Sequence, residues 1–296
     1  MSIFPSGALK MKLKNLNALI TGGSQGLGKV IAEFFLREGA NVVICARSEK
    51  ELLATRDELA KKFPAQKVLA KTCDVSNEIQ VNELVAFALH ELGSVQALVL
   101  NAGIYGPMGA TESVSLDEWR RALDINLFGV LLPSRAVIPH FKKNGRGKII
   151  VLSGGGATNP LPNISSYAAS KAAVVRLMET LAEELKSFRV DVNAIAPGAL
   201  ATRLVDEVLA AGAEKVGAAF FEKNKSWKEK GAVPLELGAN LAVYLASAES
   251  DGITGKLISA QWDPWRDLQK HRDELMKSDI YCLRRIVPED RGKKWN

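Results

Sequence analysis

Seven short runs of β-branched and aliphatic residues recur along the chain, at 17–21, 41–45, 68–70, 97–100, 148–152, 190–195 and 256–259. Longer stretches with helical spacing separate them, and no other feature constrains the fold as tightly. The runs are continuously apolar rather than alternating, which is the pattern of strands covered on both faces. The intervening stretches carry apolar stripes, such as Val30, Ile31, Phe34 and Phe35 in one and Leu52, Leu53 and Leu59 in the next. Such stripes make amphipathic helices. Strand–helix–strand succession implies right-handed crossovers. The expectation is an α/β chain with a single doubly wound parallel sheet of about seven strands, and helices on both faces.

Two regions break the rhythm and set the expected boundaries. Residues 203–231 form an Ala- and Lys-rich helical insertion, and 263–296 follow the last strand with Trp265, Tyr281 and Trp295 among many charges. One domain is therefore expected over 14–262, with an arm at 1–13 and a C-terminal extension at 263–296. The extension has too many apolar anchors for a solvated linker, so it packs on its own chain or on a neighbour. At 296 residues, 47% hydrophobic and 24% charged, the chain has enough apolar surface for a core, which excludes a disordered class. Three scattered cysteines, Cys45, Cys73 and Cys282, form no disulfide framework and fit a reducing, cytoplasmic setting. No run approaches the ~20 apolar residues of a membrane span, and no membrane association is expected. The excess of 39 Lys and Arg over 33 Asp and Glu is dispersed, so no nucleic acid is expected as a partner. His90, His140 and His271 lack metal-ligand spacing, and no metal is expected.

The first run leads into Thr21, Gly22, Gly23, Ser24, Gln25, Gly26, Leu27 and Gly28, with a helix expected from about Lys29. Glycine allows the tight turn and lets backbone N–H groups approach a pyrophosphate, while the helix start adds partial positive charge. A Rossmann-type dinucleotide site follows, and the competing reading is a tight turn without ligand. At the end of the second run an acid would accept from the ribose hydroxyls of NAD. Arg47 stands there instead, where its guanidinium can hold a 2′-phosphate. NADP(H) is therefore favoured, with NAD(H) as the alternative. Asp74 and Val75 end the third run, and Asn101, Ala102 and Gly103 the fourth, beside the adenine and its ribose.

Tyr167 and Lys171 lie four apart at the start of a helical stretch, hence on one face. A free phenol titrates near ~10, and an adjacent ammonium draws it toward neutral pH for acid–base work on an alcohol or carbonyl oxygen. Ser165 and Ser166, just before Tyr167, read as helix N-caps.

These motifs occur in one order, and over about 14–262 the sequence resembles the short-chain dehydrogenase/reductase family. The matching residues are Thr21, Gly22, Gly26 and Gly28, then Asp74, Asn101 to Gly103, Asn126, Tyr167 and Lys171, and finally Pro197, Gly198 and Thr202. The resemblance implies that Tyr167 is the general acid/base and that Lys171 lowers its pKa and holds the nicotinamide ribose. It implies that Asn126 anchors a relay water and that Pro197, Gly198 and Thr202 cover the nicotinamide. Hydride would pass between nicotinamide and a ketone or secondary alcohol. Two positions depart from the pattern. Leu100 replaces an Asn before Asn101. The family's catalytic Ser lies thirteen residues before the Tyr, which here is Gly154, with Ser153 one step earlier. Either the loop is one residue longer and Ser153 is the donor to the substrate oxygen, or the Ser is missing.

The family's substrate lid corresponds to 203–231, where Arg203, Lys215, Lys223, Lys225, Lys228 and Lys230 accompany Phe220 and Trp227. They suit an anionic substrate or simply a solvated surface. Asn159 and Leu161 are further candidate substrate contacts. A small carbonyl or alcohol is the expected partner, with a 3-oxoacyl thioester reductase and a sugar or polyol dehydrogenase both open. The family also implies a homodimer or homotetramer. The reading of a different class is a non-catalytic cofactor-binding sensor or scaffold of the same fold.

Overall fold

The computed structural model describes residues 11–295; residues 1–10 of the expected N-terminal arm lie outside them. Seven strands form one parallel sheet in the order β3-β2-β1-β4-β5-β6-β7. They are β1 (Asn17–Thr21), β2 (Asn41–Ala46), β3 (Val68–Thr72), β4 (Ala97–Leu100), β5 (Gly147–Leu152), β6 (Val190–Ala196) and β7 (Leu257–Ser259). All residues of β1, β4 and β5 are buried, which is why their sequences are mostly apolar, with Asn17, Thr21 and Lys148 as the buried polar exceptions. Register is one-to-one, as in Leu19 against Val43 and Leu98.

Alternate residues of each strand feed two cores. Ala18, Ile20, Ile150 and Leu152 join one, with α1 (Gly26–Arg37) and α10 (Leu235–Ala246). Leu19, Leu98, Ile149 and Val151 join the other, with α3 (Glu78–Leu92), α5 (Gly129–Asn144) and α6 (Ser165–Leu185). The remaining crossovers are α2 (Glu49–Lys62) and α4 (Leu116–Leu123), the latter joined to α5 through a π-helical turn at Asp124–Phe128. Together they make one continuous helical stretch, Leu116–Asn144, long and apolar enough by composition to cross a membrane, although half of its most apolar window is buried in this fold. Pro133, Ser134 and Arg135 interrupt that stretch, so it contains no continuous apolar run of membrane-spanning length.

Residues 203–231 contain three helices, α7 (Arg203–Ala211), α8 (Ala213–Val216) and α9 (Ala218–Lys230), separated by Gly212 and Gly217. Beyond β7 the chain returns to its own body. Trp265, Leu268 and, in α11 (Arg272–Met276), Leu275 are buried in the core beside α1 and α10. Trp265 Nε1 donates to the Ala260 carbonyl at 3.2 Å. The chain then rounds the edge of the sheet, where Leu257 N–H donates to the Tyr281 carbonyl at 2.8 Å. The buried Lys256 amine holds the Ser278 and Ile280 carbonyls at 2.9 and 3.0 Å. Leu283 N–H donates to Glu179 of α6 at 2.6 Å. The extension thus covers an edge strand that would otherwise present unpaired backbone groups.

Candidate active site

The carboxyl ends of the central strands open onto one cleft of about 1470 Å³. It lies across the β1–β4 switch point, where doubly wound sheets bind ligands. Its size exceeds the roughly 300–1,000 Å³ of ordinary small-ligand pockets, which leaves room for a dinucleotide and a second molecule.

The glycine turn forms one end. Gly22 has φ 65°, and a Cβ there would stand 2.8 Å from Asn101 Nδ2. At Gly28 a Cβ would meet the Gly22 carbonyl oxygen at 2.3 Å, so the close approach of α1 to the turn requires glycine. Asn101 Nδ2 donates to the Thr21 and Gly22 carbonyls at 3.1 Å each. Thr21 Oγ1 accepts from the backbone N–H of Asn101 and Ala102. Helix α1 starts at Gly26 rather than near Lys29, and no side chain caps it. Its first-turn N–H groups keep their capacity to bind an anion. Gly22, Ser24, Gln25, Gly26 and Leu27 line the cleft, whereas Thr21 and Gly28 stand behind its wall as support.

Arg47, exposed at the end of β2, lines the next part of the cleft with Asp74, Val75, Asn101, Ala102 and Gly103. Burial works against the charged form of Asp74. Ser76, donating from its hydroxyl at 2.6 Å and its N–H at 3.0 Å, and the guanidinium groups of Arg47 and Arg121 hold the carboxyl below its usual range. Arg121 was not a sequence candidate, since only folding brings α4 toward the end of β3. Glu51 in α2 also lines the cleft near Arg47.

At the other end, Tyr167 and Lys171 occupy the first two turns of α6, with the Lys171 amine 5.6 Å from the Tyr167 ring centre. Lys171 is buried, and its amine donates to the Leu152 carbonyl at 2.7 Å. Burial pushes that amine down to about 8. Burial, and secondarily Tyr105, push the Tyr167 phenol up rather than down. The expected lowering of the phenol by Lys171 is therefore absent from the protein by itself: the amine is turned to a carbonyl, and desolvation disfavours both charged forms.

Ser153 N–H donates to the Ile195 carbonyl at 2.8 Å, so sheet pairing extends through this residue. Its hydroxyl is enclosed and has no hydrogen-bond partner among the described residues. Gly154 is the residue against the phenol: a Cβ there would lie 2.5 Å from Tyr167 Oη. Asn126, fully buried in the π-helical turn, accepts from Ile104 N–H and donates to the Ile104 carbonyl and to Ser170 Oγ, each at 2.9 Å. Its amide is committed to clamping the loop after β4. Ser165 and Ser166 do not cap α6, whose N-cap is Ile164. Ser165 Oγ accepts from Trp119 Nε1, and Ser166 Oγ donates to the Tyr105 carbonyl.

Pro197, Gly198, Thr202, Ser153, Asn159, Leu161, Phe220 and Trp227 all line the cleft, as do Tyr167 and Lys171; Asn126 does not. Tyr105, which sequence reasoning passed over, lines it too, although it stands only two residues beyond the small-residue turn at Asn101 to Gly103. Its ring meets that of Tyr167 edge-on at 4.7 Å and that of Phe220 at 6.4 Å. Of the basic residues in 203–231, Arg203 and Lys223 line the cleft. Arg203 pairs with Glu207 and Lys228 with Asp206. The Lys223 amine lies 5.3 Å from the Trp227 ring centre and makes no ion pair among the described residues.

Known proteins share this architecture. The family model for short chain dehydrogenase matches residues 16–212. A glucose 1-dehydrogenase of Gluconobacter oxydans is 38% identical over 65% of this chain and 72% of its own length. A 7alpha-hydroxysteroid dehydrogenase of Escherichia coli is 31% identical over 84% of this chain and 94% of its own. The crystal structure of a levodione reductase superposes with a TM-score of 0.78 at 28% identity, covering 87% of this chain and 99% of that one.

Proposed function

This chain belongs to the short-chain dehydrogenase family and is an NAD(P)-dependent oxidoreductase of alcohols or ketones; from that premise we propose that it uses NADP(H) and that Tyr167 exchanges the proton with the substrate oxygen. The observation that carries the reading is the placement of Tyr167 and Lys171 in the same cleft as an uncapped helix start and its glycine turn. The turn fits the group it would hold, because side chains at Gly22 and Gly28 would fill the space the backbone needs for close approach. Arg47 supports a 2′-phosphate, and Asp74 offers an acceptor for the adenine end. When bound, NADP(H) supplies or takes the hydride.

The chain's own residues do the rest. Burial raises the pKa of the Tyr167 phenol, so it is protonated at neutral pH and can give a proton to a developing alkoxide. Lys171, poised near 8, can exchange a proton in the working range. Asn126 positions the loop after β4. Of the two readings open at Ser153, the geometry supports the one without a serine donor, since position 154 meets the phenol and carries no hydroxyl. The helices over 203–231 act as the lid. Tyr105, Leu161, Phe220 and Trp227 suit an apolar substrate body, with Lys223 placed for an anionic group. The three free cysteines support a cytoplasmic setting, and exposed Leu116 and Phe128 support self-association.

The test is fluorescence titration with NADPH and NADH, followed by turnover of a ketone panel by wild type and Tyr167→Phe. Tighter NADPH binding and turnover that Tyr167→Phe reduces at least a hundredfold are expected. Binding without turnover would favour the sensor reading and overturn this one.

A further inference from the structure

Reduction of a ketone builds negative charge on one oxygen, and a second hydrogen-bond donor beside the proton donor is worth tenfold to about a thousandfold in rate. The residue facing Tyr167 from the end of β5 is Gly154, which has no donor side chain. The neighbouring Ser153 lines the cleft, but its hydroxyl is buried and finds no hydrogen-bond partner among the described residues. Among the other hydroxyls on the cleft wall, Ser24 and Ser48 belong to the phosphate end, Thr158 Oγ1 accepts from Asn159 Nδ2 at 3.0 Å, Ser259 Oγ accepts from Trp262 N–H at 3.2 Å, and Thr202 precedes α7. The hydroxyl-bearing side chain that meets the Tyr167 ring is Tyr105.

We propose that Tyr105 is the second donor to the substrate oxygen, so that two phenols, rather than a phenol and a serine, polarise the carbonyl. The proposal rests on the reading of Tyr167 as proton donor. Both rings line the cleft and touch edge-on, 4.7 Å between centres. The backbone around Tyr105 is fixed from three sides. Asn126 clamps both polar groups of Ile104. Ser166 Oγ donates to the Tyr105 carbonyl at 3.3 Å. At Gly106 a Cβ would stand 2.6 Å from Ala122 and 2.8 Å from Ser166 Oγ, so the loop lies tight on α4 and α6. This much bracing for an irregular loop has a purpose if the side chain it carries must be placed to within a fraction of an ångström. The Tyr105 hydroxyl enters no hydrogen bond among the described residues, and desolvation, with Glu207 adding to it, raises the phenol to about 12. It therefore stays protonated, and able to donate a hydrogen bond, across the working pH range. Phe220, from the segment over the cleft, packs edge-on against Tyr105, so the same ring that orients the hydroxyl also meets the lid.

The experiment is steady-state kinetics of Tyr105→Phe on the best ketone of the panel, with the NADPH dissociation constant measured in parallel. The substitution keeps the ring contacts to Tyr167 and Phe220 and removes only the hydroxyl. A fall in kcat of tenfold or more is expected, with KM and NADPH affinity within threefold of wild type. Tyr105→Leu should show the same fall together with a raised KM, because it also removes the wall. A smaller change in kcat for Tyr105→Phe, or a change in KM alone, overturns the proposal and leaves Tyr105 as a substrate contact. If wild type itself turns over no ketone while binding NADPH, the reading of Tyr167 has failed, and the proposal goes with it.

Discussion

Replacing Lys171 with methionine should make the protein more stable and inactive at once. The amine is buried and desolvation lowers it from 10.5 to about 8, which corresponds to ~3 kcal/mol of unfavourable free energy for its protonated form in the fold. The sign follows from linkage: the penalty is complete below about 8, shrinks as pH rises toward 10.5, and is gone above it. Methionine loses the hydrogen bond to the Leu152 carbonyl, a cost of about 1–2 kcal/mol. The balance at pH 7 is a gain of about 1–2 kcal/mol, or a rise of roughly 2–8 °C in Tm for a domain of this size. Above pH 10.5 the gain should vanish or reverse, because only the lost hydrogen bond is left. Thermal unfolding of both proteins without cofactor, across pH 6.5 to 10.5, measures this, and turnover measured alongside should be lost. If Lys171→Met unfolds at a lower temperature than wild type at pH 7, the amine is not under desolvation strain and the reasoning is refuted.

Arg47→Glu should weaken NADPH binding about tenfold to a hundredfold by removing a charge-assisted contact and adding repulsion, while NADH binding holds or improves; unchanged preference in fluorescence titration would remove Arg47 from cofactor selection. Trp265→Ala, which empties a fully packed site between the extension and α10, should cost about 3–5 kcal/mol and lower Tm by roughly 10 °C. A shift under 2 °C in thermal unfolding would mean that the extension contributes little to the fold.

The strands were legible because burial on both faces of the central ones keeps them mostly apolar: every apolar run became a strand within two residues of its expected ends. The glycine turn was legible because its constraint is local, a backbone conformation at Gly22 and a backbone contact at Gly28. Features that depend on distant contacts were not. Ser165 and Ser166 stand where caps are common, yet their hydroxyls are drawn to Trp119 and the Tyr105 carbonyl, groups that only the fold brings near. Tyr105 carried no motif, and its importance comes from rings and clamps contributed by α6, the π-helical turn and the segment over the cleft. The packing of 263–296 was open between two partners because a few scattered apolar residues show that a surface is covered without showing whose.

The two ends of β5 show why the site has the character it does. Each end holds a buried lysine. At the amino end, Lys148 pairs with Asp191 at 2.6 Å and Asp251 at 2.8 Å, and Ser250 Oγ lies nearby at 3.4 Å. At the carboxyl end, Lys171 meets the Leu152 carbonyl and no carboxylate among the described residues. The chain has the means to neutralise a buried lysine at this sheet, and uses it at the end away from the cleft. Where the cleft opens, the amine goes unpaired, the first turn of α1 uncapped and the Tyr105 hydroxyl unbonded. Each is a local cost that the two cores can carry, and each is a group left with capacity for something that is not protein. A carboxylate placed beside Lys171 would raise its pKa and hold its proton, and Tyr167 would lose the one neighbour able to exchange protons near neutral pH. The stability forgone at this end of the strand is therefore tied to the chemistry, which is why Lys171→Met is expected to recover one by giving up the other.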